Sequence, residues 1–153
     1  MGDFEVTRSE SIAAPPERLH GLIDDFHRWR DWSPWEELDP NLKREYSGAD
    51  SGVGARYAWE GNRKAGKGNM EITDVQPQRV EMRLTFEKPW KATNQVVFDL
   101  TPKDGAGTDV TWRMSGTQKG LAALFGKVFP MDKMVGKDFE KGLAQLKSKA
   151  ETG

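Results

Sequence analysis

Residues 79–87 read Arg-Val-Glu-Met-Arg-Leu-Thr-Phe-Glu and carry the clearest structural pattern in the sequence. Every second position is apolar, at Val80, Met82, Leu84 and Phe86. Because successive side chains of a β-strand point to opposite faces, the pattern predicts a strand with one buried and one solvated face. Such strands are typical of antiparallel sheets that cover a core on one side.

The same alternation continues on both sides of this strand, from about residue 42 onward. Turn residues (Gly, Pro, Asn, Asp, Ser) separate the alternating segments, as in a meander of sequential hairpins. The further strands that we predict cover residues 4–13, 56–61, 68–75, 93–100 and 108–116.

Helical spacing appears at the two ends of the chain. Residues 16–25 carry apolar side chains at intervals of three and four and begin at a proline, which predicts a short helix. Residues 29–35 predict a second short helix that runs into a loop. Residues 119–150 predict a long amphipathic helix that Pro130 kinks or splits, because proline lacks the N–H donor.

This order of elements predicts an α+β fold in a single domain over residues 1–153. A curved antiparallel sheet of about seven strands is expected to wrap a long C-terminal helix, with two short helices after the first strand. The inward face of the sheet and the helix then enclose either a packed core or a cavity.

The composition excludes several classes of function. In 153 residues, 23 Lys and Arg balance 24 Asp and Glu, so we expect no nucleic-acid partner. Zero Cys and two His exclude disulfides, a thiol nucleophile and a multi-histidine metal site, and we expect no metal and no cofactor. The sequence contains neither a membrane-spanning apolar run nor a signal peptide, so a cytoplasmic location is expected.

Motifs along almost the whole chain resemble those of a known family. They include an Asp-x3-Trp-x2-Trp-x-Pro run from Asp25 to Pro34, a glycine-rich loop over 48–54, and Val-Thr-Trp-x-Met-x-Gly over 110–116. A closing Gly-x-Asp-Phe-Glu-x-Gly-Leu run follows over 136–143. In this order they resemble the START/Bet v 1-like superfamily, and in particular its bacterial polyketide cyclase/dehydrase and lipid-transport group.

The resemblance implies a helix-grip fold with a ligand cavity between sheet and helix. It does not select one activity, because members of the superfamily include cyclases, lipid carriers, hormone receptors, chaperone activators and resistance proteins.

Alternation and helical spacing together give a candidate set of ligand-binding residues. Flat rings and flexible thioethers suit an apolar ligand, and each of them equally suits a filled core. Two tryptophans of the second short helix can form a lip of the cavity or a structural plug. The candidates are Trp29, Trp32, Tyr57, Trp59, Met70, Met82, Leu84, Phe86, Phe98, Trp112, Met114, Val135 and Phe139.

Candidates for acid–base chemistry are few. Arg8 and Glu10 alternate with Val6 and Ile12, so both point inward if the first strand is regular, and Tyr57 is the third candidate. A bulge or an edge position places Arg8 and Glu10 in solvent instead, and the frequency of bulges and polar edges favours that outcome. His20 and His27 are expected at the surface.

Residues 61–67 match the first seven positions of a phosphate-binding P-loop, but Gly68 stands where Ser or Thr is required. The segment also lies between two predicted strands rather than between a strand and a helix. We therefore predict a hairpin loop.

These observations favour a protein that binds a hydrophobic small molecule, such as a polyketide, a lipid or an aromatic metabolite. Whether it is also an enzyme stays open. The alternatives are a polyketide aromatase/cyclase, a resistance protein that sequesters or consumes a toxic natural product, and an interaction module like the Hsp90 activators. The oligomeric state is not indicated.

Overall fold

The computed structural model describes the backbone of residues 2–34, 39–62, 66–88, 92–105, 107–118 and 131–152. Side chains are described over the same ranges except at residues 2–4, 117–118 and 131–135. The predicted helical segment over 119–130 and the side chain of Val135 therefore lie outside the described residues.

The predicted order of elements is confirmed. The strands are β1 (Gly2–Ile12), β2 (Lys43–Gly48), β3 (Ala55–Glu60), β4 (Lys67–Gln76), β5 (Arg79–Lys88), β6 (Ala92–Lys103) and β7 (Gly107–Gln118). The helices are α1 (Pro16–Ile23), a 3-10 helix (Phe26–Asp31) and α2 (Met131–Thr152).

The second short helix starts three residues earlier than predicted. Asp25 precedes it, and its carboxylate accepts a hydrogen bond from the backbone N–H of His27 at 2.9 Å. This contact caps the helix and sets its first residue at Phe26, because Asp satisfies a donor that has no partner within the helix.

All seven strands form one antiparallel sheet in the order β1-β7-β6-β5-β4-β3-β2. The edge strand β1 pairs with β7 from Gly2↔Gln118 to Ile12↔Thr108 without a register shift. β1 therefore has no bulge, but it is an edge strand of the sheet, the second of the two arrangements that were predicted to place Arg8 and Glu10 toward solvent. They share the inner face with Val6 and Ile12.

The glycine-rich loop between β2 and β3 anchors the sheet to α1. Gly48 and Gly54 have φ values of 72° and 93°, which favour glycine. The N–H of Gly52 donates to the carbonyl of Asp24 at 2.9 Å. The loop thus fixes where the short helices lie against the inner face.

Helix α2 crosses the inner face and supplies the buried residues Phe139, Leu143 and Leu146. The outer face carries charged pairs, among them Arg83 with Glu71 at 2.6 Å and Arg113 with Asp99. The sheet is therefore apolar toward the helix and charged toward solvent, as the alternation in residues 79–87 predicts.

Candidate functional site

One part of the inner face, which we call the packed end, consists of Trp29, Trp32, Phe98, Trp112 and Phe139. All five side chains are at most 4% exposed. The ring of Phe139 stacks on that of Trp112 with centroids 4.0 Å apart and 7° between the planes. Phe98 stacks on the same indole at 4.8 Å. Aromatic rings at these distances leave little space between them.

The two tryptophans of the 3-10 helix also have fixed polar partners. The indole N–H of Trp29 donates to the carbonyl of Ile23 at 2.8 Å, and that of Trp32 donates to Leu22 at 2.9 Å. Both carbonyls belong to the last turn of α1 and lack partners within the helix. The tryptophans therefore join α1 to the core, which is the plug arrangement.

Helix α2 closes tightly over the packed end because it carries a glycine there. A Cβ atom on Gly142 would lie 2.8 Å from the Trp112 ring and 2.8 Å from Pro34. Such contacts are shorter than ordinary van der Waals distances, so a larger residue would push the helix off the sheet.

The other part, which we call the hairpin end, consists of Tyr57, Trp59, Met70, Leu84, Phe86 and Asn94. It lies toward the β3–β4 and β5–β6 connections. In register, Tyr57 is opposite Met70, Met70 opposite Leu84, and Leu84 opposite Asn94. Trp59 and Phe86 are only partly buried against the core. Tyr57, Met70, Leu84 and Asn94 are at most 7% exposed, so Trp59 and Phe86 are the side chains of the hairpin end that remain partly uncovered.

Gly68 leaves room for the indole of Trp59 to pack against β4. A Cβ atom at residue 68 would be 2.6 Å from the Trp59 ring and 2.5 Å from the carbonyl oxygen of Thr85. Phe86 meets Trp59 edge-on, with ring centroids 5.9 Å apart. Because Gly68 has no side chain, the Trp59 ring can pack directly against the backbone of β4 at the hairpin end.

Met82 and Met114 lie between the two ends. They align with Val96, which faces Met82 on one side and Met114 on the other. Both are at most 3% exposed. Their flexible thioethers can adjust to neighbours on either side.

The predicted acid–base candidates are not brought together with the hairpin end. The guanidinium of Arg8 lies against Gly136 of α2, and its Nε donates to Glu140 at 2.8 Å. Glu10 is close enough to Lys147 for its charge to help raise the pKa of that ammonium, after the larger contribution from the Lys147 hydrogen bond to Glu151. Arg8 and Glu10 thus face α2 from the edge strand. Only Tyr57 belongs to the hairpin end.

His20 and His27 differ in exposure. Half-buried His20 places Nε2 at 3.0 Å from the carbonyl of Gln76 and Nδ1 at 3.4 Å from Asp24. Burial raises the pKa of Asp24, and the nearby His20 opposes that rise. His27 is exposed, and its ring stacks on Tyr46 with centroids 4.2 Å apart. It lines a surface groove of about 80 Å³ beside the glycine-rich loop, well below the volume of a typical ligand pocket.

One residue of the hairpin end, Asn94, is absent from the predicted set of ligand-binding residues. Its side chain is 5% exposed and points inward from β6. The signal was present, since Asn94 continues the inward series of Val96, Phe98 and Leu100. A polar residue in an apolar series marks a site of interest, because a buried amide without partners is costly.

Between 2 and 152, the described residues contain no group of three or more His, Asp or Glu arranged to hold a metal ion. Likewise, none of the helices that are described is both long enough and apolar enough to cross a membrane.

A model of a known protein family matches nearly the whole chain. The model described as polyketide cyclase/dehydrase and lipid transport matches residues 3–151. The chain belongs to this family. The resemblance that the motifs predicted is thereby confirmed. No curated protein matches the chain in sequence.

Solved structures show the same fold for this family member. The Zhui aromatase/cyclase from Streptomyces sp. R1128 superposes with a TM-score of 0.72 at 14% identity, over 98% of this chain and 94% of that one. The Aha1 dimer from Colwellia psychrerythraea gives 0.65 at 18%, over 98% of each chain. DynU16, from the dynemicin biosynthetic locus, gives 0.67 at 18%, over 97% of this chain and 48% of that one. At these identities the likeness establishes the fold.

Proposed function

We propose that this protein binds a hydrophobic small molecule between the sheet and α2, with the hairpin end as its binding surface. The observation that carries the proposal is the contrast in burial along one inner face. Trp59 and Phe86 are half-buried aromatic rings on an inward surface, whereas the rings of the packed end are already covered by one another. Half-buried inward rings gain contact area when a ligand covers them.

The shape of the hairpin end favours a flat ligand. Trp59 lies on the sheet over Gly68 and is flanked by Tyr57 at 6.1 Å and by Phe86. Partly uncovered aromatic rings favour a flat aromatic or polyketide-like molecule over a single acyl chain, because flat rings stack on one another. The aromatase/cyclase among the structural neighbours supports the same ligand class.

Binding is favoured over catalysis by the position of the charged candidates. Arg8 is held by Glu140 beside Gly136, away from the hairpin end. A cyclase needs an acid or base within hydrogen-bond reach of the substrate. Tyr57 is the candidate that lies in reach of a ligand at the hairpin end, and a phenol alone provides little of the required acid–base chemistry.

An interaction module is less well supported by the described surface. The outer face of the sheet carries ion pairs, and Val53 is the large apolar side chain found exposed in the described part of the chain. Docking surfaces for proteins generally include a larger apolar patch.

Methionine methyl groups provide a direct test. We expect naphthalene, titrated into protein labelled with ¹³C at the methionine methyls, to shift the signals of Met70 and Met114. Phe86→Leu, which keeps an apolar side chain but removes the ring, is expected to weaken naphthalene binding about three- to tenfold, since stacked rings contribute about 0.5–1.5 kcal/mol.

Val53→Ala is the matched control, because it removes apolar atoms from a side chain that is 59% exposed outside the hairpin end. It should leave the affinity unchanged. An absence of methyl shifts at saturating naphthalene, or equal effects of the two variants, would rule out the hairpin end as the binding surface.

A further inference from the structure

The amide of Asn94 is a buried polar group with unused hydrogen-bonding capacity. Its side chain is 5% exposed, and its Oδ1 is buried without a hydrogen-bond partner among the described residues. Its Nδ2 donates to the thioether sulfur of Met114 at 3.9 Å, a weak acceptor. Exchanging the amide O and N atoms would give the sulfur no donor and would still leave one end of the amide unsatisfied.

The free-energy cost of an unpaired buried amide suggests that Asn94 has a functional role. A buried donor or acceptor without a partner costs about 1–3 kcal/mol, so buried amides nearly always have partners. Leu84 lies beside Asn94 on β5 and Gly116 lies beside it on β7, and neither side chain can hydrogen-bond. The neighbouring residues on β5 and β7 therefore offer the Asn94 amide no side-chain hydrogen bond.

We infer that Asn94 is the polar anchor of the hairpin end and that it selects ligands bearing a neutral hydroxyl, as in a phenol or an enol. This inference rests on the proposed function. A hydroxyl donates to Oδ1 and can accept from Nδ2, so it satisfies both ends of the amide. An ether offers no donor to Oδ1, and a carboxylate offers none when ionised.

The charge of the surroundings supports a neutral ligand. In register with Asn94, strands β3 to β5 present Tyr57, Met70 and Leu84, which carry no charge. Arg44 is opposite Trp59 on the edge strand β2, at the margin of the hairpin end. Placing a carboxylate beside Asn94 would bury an ion among apolar side chains, which is unfavourable without a paired charge.

The test compares 2-naphthol, 2-methoxynaphthalene and 2-naphthoate as ligands, with the Met114 methyl signal as reporter. On the intact protein we expect 2-naphthol to bind more tightly than the more apolar methyl ether. The ratio of the two affinities is expected to fall about five- to tenfold in Asn94→Leu, the value of one hydrogen bond to a buried group. Comparing this ratio between the parent and Asn94→Leu cancels the difference in solubility of the two ligands, because that difference is the same for both proteins.

Gln95→Leu is the matched control, since it makes the same change at the next residue, on the outer face, where Gln95 donates to Glu81 at 2.7 Å. It should leave the ratio unchanged. Asn94→Leu should also unfold at no lower temperature than the parent, because it removes an unsatisfied buried amide.

The outcomes separate this inference from the proposed function. If naphthyl ligands bind but the ratio is the same in Asn94→Leu, or if 2-naphthoate binds most tightly, the anchor is wrong and the binding function stands. An Asn94→Leu protein that is strongly destabilised also overturns the inference, since the amide is then structural. The comparison of the three ligands on the unsubstituted protein does not depend on the stability of this variant. If no naphthyl compound binds, the proposed function fails and the anchor fails with it.

Discussion

At the packed end, Phe139 stacks on Trp112 with ring centroids 4.0 Å apart, whereas at the hairpin end Phe86 meets Trp59 edge-on at 5.9 Å. The rings of the first pair are fully buried, and those of the second are half-buried. Both pairs face the same interior and consist of the same residue types. The difference shows that an inward aromatic residue stabilises this fold where other rings cover it and remains available to a ligand where they do not.

The largest expected effect is the stability difference between truncations at the two ends. Phe139→Ala removes a fully covered ring and should lower the free energy of unfolding by about 3–5 kcal/mol. Phe86→Ala removes a half-buried ring and should cost about 1–2 kcal/mol, in proportion to its smaller buried area. Urea denaturation of the parent and both variants measures these values. Equal losses for the two variants would remove the distinction between the ends.

A smaller loss of stability is expected from a substitution at one glycine of α2. Gly142→Ala places a methyl group against the ring of Trp112 and Pro34, neighbours that cannot rotate away. The overpacking costs about 1–3 kcal/mol and the better helix propensity of alanine returns about 1, so a net loss is expected.

Gly136→Ala is the matched control, at the glycine that precedes Gly142 in α2. The three heavy atoms nearest to its added methyl all belong to the guanidinium of Arg8, the flexible end of a long side chain. Breaking the partly exposed ion pair with Glu140 costs about 0–1 kcal/mol, close to what alanine gains in propensity. Thermal unfolding should therefore show a lowered midpoint for Gly142→Ala and little change for Gly136→Ala. The reverse order would mean that the helix is not tightly seated on the packed end.

The smallest effect concerns the attachment of α2 beyond the packed end. The backbone N–H of Ala13 at 2.8 Å, and then the ammonium of Lys147, hold the pKa of Glu151 below its usual value of 4.5. A lowered carboxyl pKa stabilises the fold above the unfolded value and loses that effect as the pH falls through the folded value. Glu151→Gln should thus be less stable than the parent at pH 7.

Denaturation at a series of pH values checks this prediction. The stability difference between parent and variant should shrink as the pH drops below about 4.5. A difference that stays constant down to strongly acidic pH would show that the Glu151 charge does not contribute to the attachment.

The sequence predicted which face of each strand points inward, but not how completely each inward side chain is covered. Alternation in residues 79–87 is enough to predict which side of β5 is buried, because strand side chains alternate strictly. It does not separate Phe86 from Phe98, since the cover over each depends on which residues of α2 and of the 3-10 helix arrive above it. The regularity of β1 was equally out of reach, because it depends on backbone pairing with residues 108–118, far along the chain.

Asn94 was within reach of the sequence. An amide in an inward apolar series is visible from alternation alone. What the sequence lacks is the register that puts Leu84 and Gly116 beside it, and this register turns a polar residue into a buried one without a partner.

The eleven-residue ladder between β1 and β7 also affects how the chain is made. Residues 2–12 pair with residues 108–118, so β1 is synthesised before the other six strands of the sheet but cannot pair until β7 has been made. Contacts at such separation slow folding, because a long loop must close before they form. Until β7 is synthesised, the edge of β6 has no hydrogen-bond partner and the apolar inner face of the sheet is not fully covered. Both favour aggregation. A chain truncated before residue 107 should therefore depend on chaperones or be degraded.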